Sequence, residues 1–358
     1  MKRFRISEFR FRICFISEIE YSISYFAIFK CLPNQSEGLL WRGDLEGADC
    51  MNKRVAVIDL GTNIFHLLIV EGATSDFNEI VHEQDSVKLG EGGINKGFIQ
   101  PASFERGIKT MQRFNELIIK HNVKTVRAIA TSALRSAANG QDFINEVKAK
   151  TGIAIEIIDG DLEAAFIYKG IKAAECLARK NSLIIDIGGG SAEFIICNIE
   201  KILWKQSLEI GAARLMDRFH NTDPIPPESI TALNLYLEDC LKDLFAEATN
   251  YAIENIVGSS GVFESYAEVI ELARGNPFDL KKTKHYEFNF DELLALIEKL
   301  VRSSHQQRLS MNGIIPIRID MIVTASLLTR FVIEKSGINK VMMSTNSLKE
   351  GVLAEMMG

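Results

Sequence analysis

Two stretches of this 358-residue chain follow one plan. Val55-Ala-Val-Ile-Asp59-Leu-Gly61-Thr-Asn63-Ile-Phe-His-Leu-Leu-Ile69 and Leu183-Ile-Ile-Asp186-Ile-Gly188-Gly-Gly-Ser191-Ala-Glu193-Phe-Ile-Ile196 both run from an apolar strand through an aspartate and a glycine-containing turn into a second apolar strand. The two aspartates are 127 positions apart, about the length of one domain. Each unit sets a carboxylate at the end of a buried strand, beside a tight turn. Glycine there lets the backbone approach a ligand closely, and turn N–H groups can point at phosphate oxygens. Two such turns facing one another could hold a phosphate and a divalent metal between them. Either unit alone is equally a plain hairpin, and the duplication is what makes the pattern specific. No G-x-x-x-x-G-K-[ST] run and no G-x-G-x-x-G fingerprint is present, which disfavours a P-loop or a Rossmann dinucleotide site.

From Met51 onward strand and helix patterns alternate, as in an α/β protein. Strand-like runs fall at 55–59, 64–70, 124–130, 153–158, 182–187, 192–198, 253–257 and 339–344. Helical spacing is clearest over 101–121, where Phe104, Ile108, Met111, Phe114 and Ile118 recur at steps of three and four. Further helices fit 140–150, 161–178, 226–248, 262–273, 290–303, 319–335 and 347–357. The length suits two α/β domains, about 51–175 and 176–358, with the last helix packing back on the first.

The first fifty residues differ from the rest, with nine aromatics and a balanced seven positive and seven negative charges. Their longest charge-free run before Pro33 is nine residues, Tyr21 to Phe29, whereas a membrane helix needs about 20. Glu8, Glu18 and Glu20 interrupt the apolar run that a secretory signal needs. Met51 stands directly before Asn52-Lys53-Arg54 and the first clean strand, so translation is expected to start there and residues 1–50 to be a misplaced start or a disordered leader. Cys14, Cys31 and Cys50 lie in that leader, and Cys176, Cys197 and Cys240 are widely spaced, which suits a reducing, cytoplasmic compartment. Against 41 Lys and Arg stand 47 Asp and Glu, a net charge of −6 that argues against a nucleic-acid binder. The six histidines are scattered and none forms H-E-x-x-H.

Six ordered motifs give the chain a family likeness: Ile58-Asp-Leu-Gly-Thr-Asn63, Ala130-Thr-Ser-Ala-Leu-Arg135, Ile158-Asp-Gly-Asp-Leu-Glu163-Ala, Ile185-Asp-Ile-Gly-Gly-Gly-Ser-Ala-Glu193, Gly258-Ser-Ser-Gly261 and Ser347-Leu-Lys-Glu-Gly-Val-Leu353. From about Arg54 to the C-terminus the chain resembles the exopolyphosphatase and guanosine pentaphosphate phosphatase (Ppx/GppA) family, in its short form without the HD-type module. The resemblance implies a duplicated ribonuclease-H-like fold of the actin, sugar-kinase and heat-shock ATPase superfamily, with a cleft between two domains. It also implies hydrolysis of terminal phosphates with magnesium. Glu163 occupies the family's catalytic glutamate position, and Arg135 that of its cleft arginine. As bare sequence features, both would be ordinary solvated residues. Asp59, Asp186 and Glu193 are the expected oxygen ligands for magnesium, whose octahedron phosphate and water can complete. Asn63, Gly189, Gly190, Ser191, Ser260 and Gly261 are the expected phosphate contacts.

Four positions depart from the family pattern. Leu162 and Ala165 flank Glu163 where the family carries a second acid and often an arginine, and Ile64 and Val262 replace hydroxyl residues. The expected activity is release of the terminal phosphate of polyphosphate or guanosine pentaphosphate, with no nucleic-acid or membrane partner and with a homodimer allowed. A phosphate-ligand sensor with little hydrolysis, and a small-molecule kinase on the same fold, are the alternatives.

Overall fold

The computed structural model describes residues 54–73 and 76–358; the expectations for residues 1–50 and for a start at Met51 lie outside the described residues. The first half begins with β1 (Arg54–Leu60), β2 (Phe65–Ala73) and β3 (Asp76–Asp85), then α1 (Pro101–Lys120) and β4 (Thr125–Ala130). It continues through α2 (Ser132–Ser136), α3 (Gly140–Thr151), β5 (Ile155–Ile157) and α4 (Gly160–Ala173). The second half holds β6 (Asn181–Ile187), β7 (Ala192–Cys197), β8 (Ile202–Leu208), α5 (Ala212–Phe219), α6 (Pro227–Cys240), α7 (Lys242–Ala248), β9 (Ile253–Ser259) and α8 (Gly261–Ala273). It closes with β10 (His285–Glu287), α9 (Phe290–Arg302), α10 (His305–Leu309), α11 (Met321–Ser336), β11 (Val341–Ser344) and α12 (Leu348–Met357).

The sheets repeat one topology. The first has the order β3-β2-β1-β4-β5, and the second reads β8-β7-β6-β9-β11 with β10 added at its edge. In both, three antiparallel strands come first and two parallel ones follow: β1 pairs antiparallel with β2 and parallel with β4, as β6 does with β7 and β9. The sequence repeat is therefore a fold repeat, and the chain has the duplicated ribonuclease-H-like fold. The apolar runs of β1 and β6 lack polar alternation because helices or the other half cover both faces. Ala56, Ile58 and Leu60 face the outer core of the first half, while Val55 and Val57 face a central cluster shared by both sheets. In β6, Leu183, Ile185 and Ile187 face the outer core of the second half, and Ile184 faces the same central cluster.

Two helices fill that shared layer. Phe166, Ile167 and Ile171 of α4 and Leu348, Val352 and Leu353 of α12 are buried in it. They cross at glycines: a Cβ on Gly351 would lie 1.8 Å from the Phe166 carbonyl oxygen, and one on Gly170 would lie 2.0 Å from that of Ser347. The C-terminal helix thus packs back on the first half, as expected. Edge strands β3 and β8 and helix α5 extend the expected set, and the helix expected over 226–248 is divided at Leu241 into α6 and α7.

Gly351→Ala is expected to lower the unfolding free energy by about 2 kcal/mol, because overpacking outweighs the ~1 kcal/mol gain in helix propensity. Denaturant titration checks this, and an unmoved midpoint would mean that the two helices separate at no cost.

Candidate active site

Strand alternation decides where the acids point. Val55 and Val57 face the central layer, so Asp59, two residues on, projects to the same side of β1. Asp186 follows Ile184 in β6, and Glu193 precedes Ile195 in β7, so both share that side. The register sets Asp59 opposite His66 and Asp186 opposite Glu193, so the repeat carries histidine in one half where the other carries an acid. Three carboxylates therefore meet the layer filled by α4 and α12.

The fourth comes from the start of α4. Asp159 caps the helix by accepting a hydrogen bond from the Leu162 amide at 2.7 Å, and the Glu163 amide donates to the Asp159 carbonyl at 3.0 Å. Glu163 is turned inward and only 5 % exposed, while Leu162 packs against the central core. Arg135, on the short helix α2, donates to Glu163 Oε2 at 2.9 Å and to the Ile158 carbonyl at 3.1 Å.

Burial dominates the electrostatics. It pushes the Asp59 carboxyl up to about 7 against the pull of Lys349, with Asp186 adding to the rise. Glu163 is also raised to about 7, by burial first, with Arg135 opposing and Asp59 and Asp186 reinforcing. Asp186 is raised by burial although it accepts hydrogen bonds from Ser259 and, at 2.5 Å, from Ser347. Glu193, with Ser207 donating at 2.7 Å, is held well above its ordinary value by burial and then by Glu163 and Asp186. Although burial opposes it, the Lys349 ammonium is held up by Glu350, Glu264 and Asp59. His66 is driven well below its ordinary value, first by burial and then by Lys349, which leaves a neutral ring.

The expected phosphate turn lies against the other half. A Cβ on Gly189 would sit 2.2 Å from Asn63 Nδ2, and one on Gly190 would sit 2.4 Å from Ser132 Oγ and 2.6 Å from Thr62 Oγ1. Only glycine fits there, and it brings Asn63, Gly189, Gly190 and the buried Ser191 to one junction. Ser260 Oγ donates to the Ile187 carbonyl at 2.9 Å, next to that turn. Gly261 instead faces Arg318, whose guanidinium pairs with Glu264 at 3.0 Å.

The donor set suits a hard divalent cation. Among the described residues Asp59 Oδ1 is buried with no hydrogen-bond partner, at a point where several acids outnumber nearby cations. Among the described residues no group of three or more His, Cys, Asp or Glu side chains is arranged to hold a metal, so Asp59, Asp186 and Glu193 do not form a cage. Magnesium is commonly held by one or two carboxylates, with phosphate and water completing the shell, and Asp59 and Asp186 fit that mode.

Several residues here carried no assigned role in the sequence. Ser132, Ser259, Ser347 and Lys349 lie inside the family-like motifs, a signal that could have found them. Glu209 and Arg214 follow β8 with no such mark. Arg214 nonetheless donates to the Gly190 carbonyl at 2.9 Å and to the Ile94 carbonyl at 2.6 Å, tying the glycine turn to the first half.

The fold is shared with known proteins. The structure of an exopolyphosphatase from Cytophaga hutchinsonii is 39% identical, covers 85% of this chain and 98% of its own, and superposes with a TM-score of 0.83. The Aquifex aeolicus PPX-GPPA enzyme, at 24% identity and a TM-score of 0.71, covers 85% of this chain and 99% of its own and shares the fold. The guanosine-5'-triphosphate,3'-diphosphate pyrophosphatase of Aeromonas hydrophila is 25% identical over 85% of this chain and 59% of its own length. Residues 68–358 match the Ppx/GppA phosphatase family, and the chain belongs to that family.

Proposed function

We propose that the chain is a phosphoanhydride hydrolase that releases the terminal phosphate of inorganic polyphosphate or guanosine pentaphosphate. The observation that carries the reading is Glu163: a buried carboxylate raised to about 7, held by Arg135, among the acids that meet between the two halves. A general base works best when its pKa lies near the working pH, and burial among like charges supplies that basicity. Glu163 takes a proton from the attacking water. Arg135 fixes the Glu163 carboxylate and offers its remaining N–H groups to phosphate oxygens. The Gly189–Ser191 turn and Asn63 cradle the phosphate as water displaces the leaving phosphate in line, and Asp59 and Asp186 would hold magnesium, which when bound would offset charge on the phosphate oxygens. The exopolyphosphatase and pyrophosphatase relatives support both substrates.

Glu163→Gln is expected to lower turnover of tripolyphosphate by about 10² to 10⁴ while leaving KM unchanged or lower. Phosphate release followed over time checks this. A silent substitution would mean that another group activates the water. At saturating magnesium, which would keep Asp59 ionised, the wild-type rate should fall as the pH drops below about 7, where Glu163 takes up its proton, and residual Glu163→Gln activity should lack that limb. Asp186→Asn should stay folded and lose most magnesium-dependent turnover; near-normal activity at every magnesium concentration would sink the cation assignment.

Asp59 gives a test that needs no activity. Its raised carboxyl binds a proton in the folded chain that the unfolded chain has already released, so stability falls as the pH climbs from about 4 to about 7. Without magnesium, Asp59→Asn should therefore be more stable than wild type at pH 8, by about 1–3 kcal/mol, and should show a flatter pH dependence. Added magnesium should stabilise wild type more than Asp59→Asn in thermal melts. Equal shifts would remove Asp59 from the cation site.

A further inference from the structure

Glu209 sits in the short link between β8 and α5, with its side chain 45% exposed, yet it collects the densest set of cationic and hydroxyl donors around the junction. Ser132 Oγ donates to Oε2 at 2.5 Å, Arg214 Nη2 to the same oxygen at 2.6 Å, and Arg135 Nη2 to Oε1 at 3.1 Å. Two guanidinium groups and a hydroxyl thus converge on one carboxylate. Ser132 and Arg135 come from the first half, Glu209 and Arg214 from the second.

Both arginines have partners besides Glu209. Arg135 is fixed by the Ile158 carbonyl and by Glu163, and Arg214 by the carbonyls of Gly190 and Ile94 and, at 2.9 Å, by Ser136 Oγ. Were Glu209 to swing into solvent, a site with two positive charges and a hydroxyl would stay behind. A half-exposed ion pair is worth little, so its release costs little. Fork-shaped guanidinium groups suit phosphate as well as carboxylate. The position is apt: Arg135 touches the proposed base Glu163 on one side, and Ser132 Oγ would lie 2.4 Å from a Cβ on Gly190 on the other.

We propose that Ser132, Arg135 and Arg214 form a phosphate subsite and that the Glu209 carboxylate stands in for the substrate phosphate there until substrate displaces it. The proposal rests on the hydrolase reading above, because it takes a phosphate chain to be the displacing anion. Glu209 and substrate then compete for one set of donors, and Glu209 sets how tightly a polyanion binds.

The test is the affinity of the full chain for inorganic tripolyphosphate, measured by calorimetry in the Glu163→Gln background so that turnover does not intrude. Glu209→Gln, which keeps the shape and removes the competing charge, should tighten binding by about tenfold. Arg214→Gln should weaken it by about tenfold or more. In the Arg214→Gln background, Glu209→Gln should gain much less. Glu209→Asp, too short to reach both guanidinium groups, should also tighten binding and serves if the glutamine variant misfolds. Unchanged or weaker binding by Glu209→Gln and Glu209→Asp, with wild-type Glu209 binding tripolyphosphate, overturns the stand-in and leaves the hydrolase reading intact. Equal tightening with and without Arg214 also overturns it, since that is a general charge effect. No binding by any folded variant sinks the polyphosphate half of the hydrolase reading, and this proposal with it.

Discussion

Burying acids between two halves of the chain is the constraint that the rest of the molecule answers. Asp186, Glu193 and Glu163 are each 5 % exposed or less, and water supplies little of what their charges need. Hydroxyls from Ser259, Ser347 and Ser207, the Arg135 guanidinium and the Lys349 ammonium supply part of it. They do not supply all of it, since all of these acids are raised above their ordinary values. That deficit costs stability and gives reactivity, because a carboxylate that binds a proton more readily is a better base.

The apolar architecture holds the acids there. Each sheet has its own outer core, and both sheets share the central layer filled by α4 and α12. The same helices bring the polar groups: α4 opens with Glu163, and α12 with the Ser347 hydroxyl and Lys349. Ser347 shares a capping box with Glu350, which holds it at the start of α12 where its hydroxyl meets Asp186. The glycine crossing of the two helices therefore sets the depth of the site as well as the packing of the fold.

The hairpins around Asp59 and Asp186 were legible because buried strands read as unbroken apolar runs, and the repeat betrayed the duplication. Strands β3 and β8 were not, for the opposite reason. Asp76–Asp85 is largely polar and mostly exposed at a sheet edge, and Ile202–Leu208 carries Lys205 and Gln206 with every residue only half-buried. Glu163 shows how far local reading goes: first-turn acids are common on solvated helices, and only the family-like motif singled it out. Glu209 and Arg214 were illegible because their meaning lies in partners more than seventy residues away, on α2.

The repeat also explains why the two halves are not equivalent. Asp186 lies between Glu193 and Ser259 on its neighbouring strands, while Asp59 lies between His66 and Ile129. One frame thus surrounds its aspartate with a carboxylate and a hydroxyl, and the other with a neutral imidazole and an alkyl chain. Ser259 and Ser347 fix Asp186, whereas Asp59 keeps an oxygen with no partner among the described residues. The turns divide the work the other way. The second half gives bare backbone at Gly189 and Gly190, and the first gives the side chains of Thr62, Asn63 and Ser132 that close against it. An aspartate with a free oxygen faces a pre-set one, and a stripped turn faces a decorated one, so each half lacks what the other supplies. In the proposed reaction the phosphate must be gripped from both sides, which a single copy of this fold, with one aspartate and one turn, could not do.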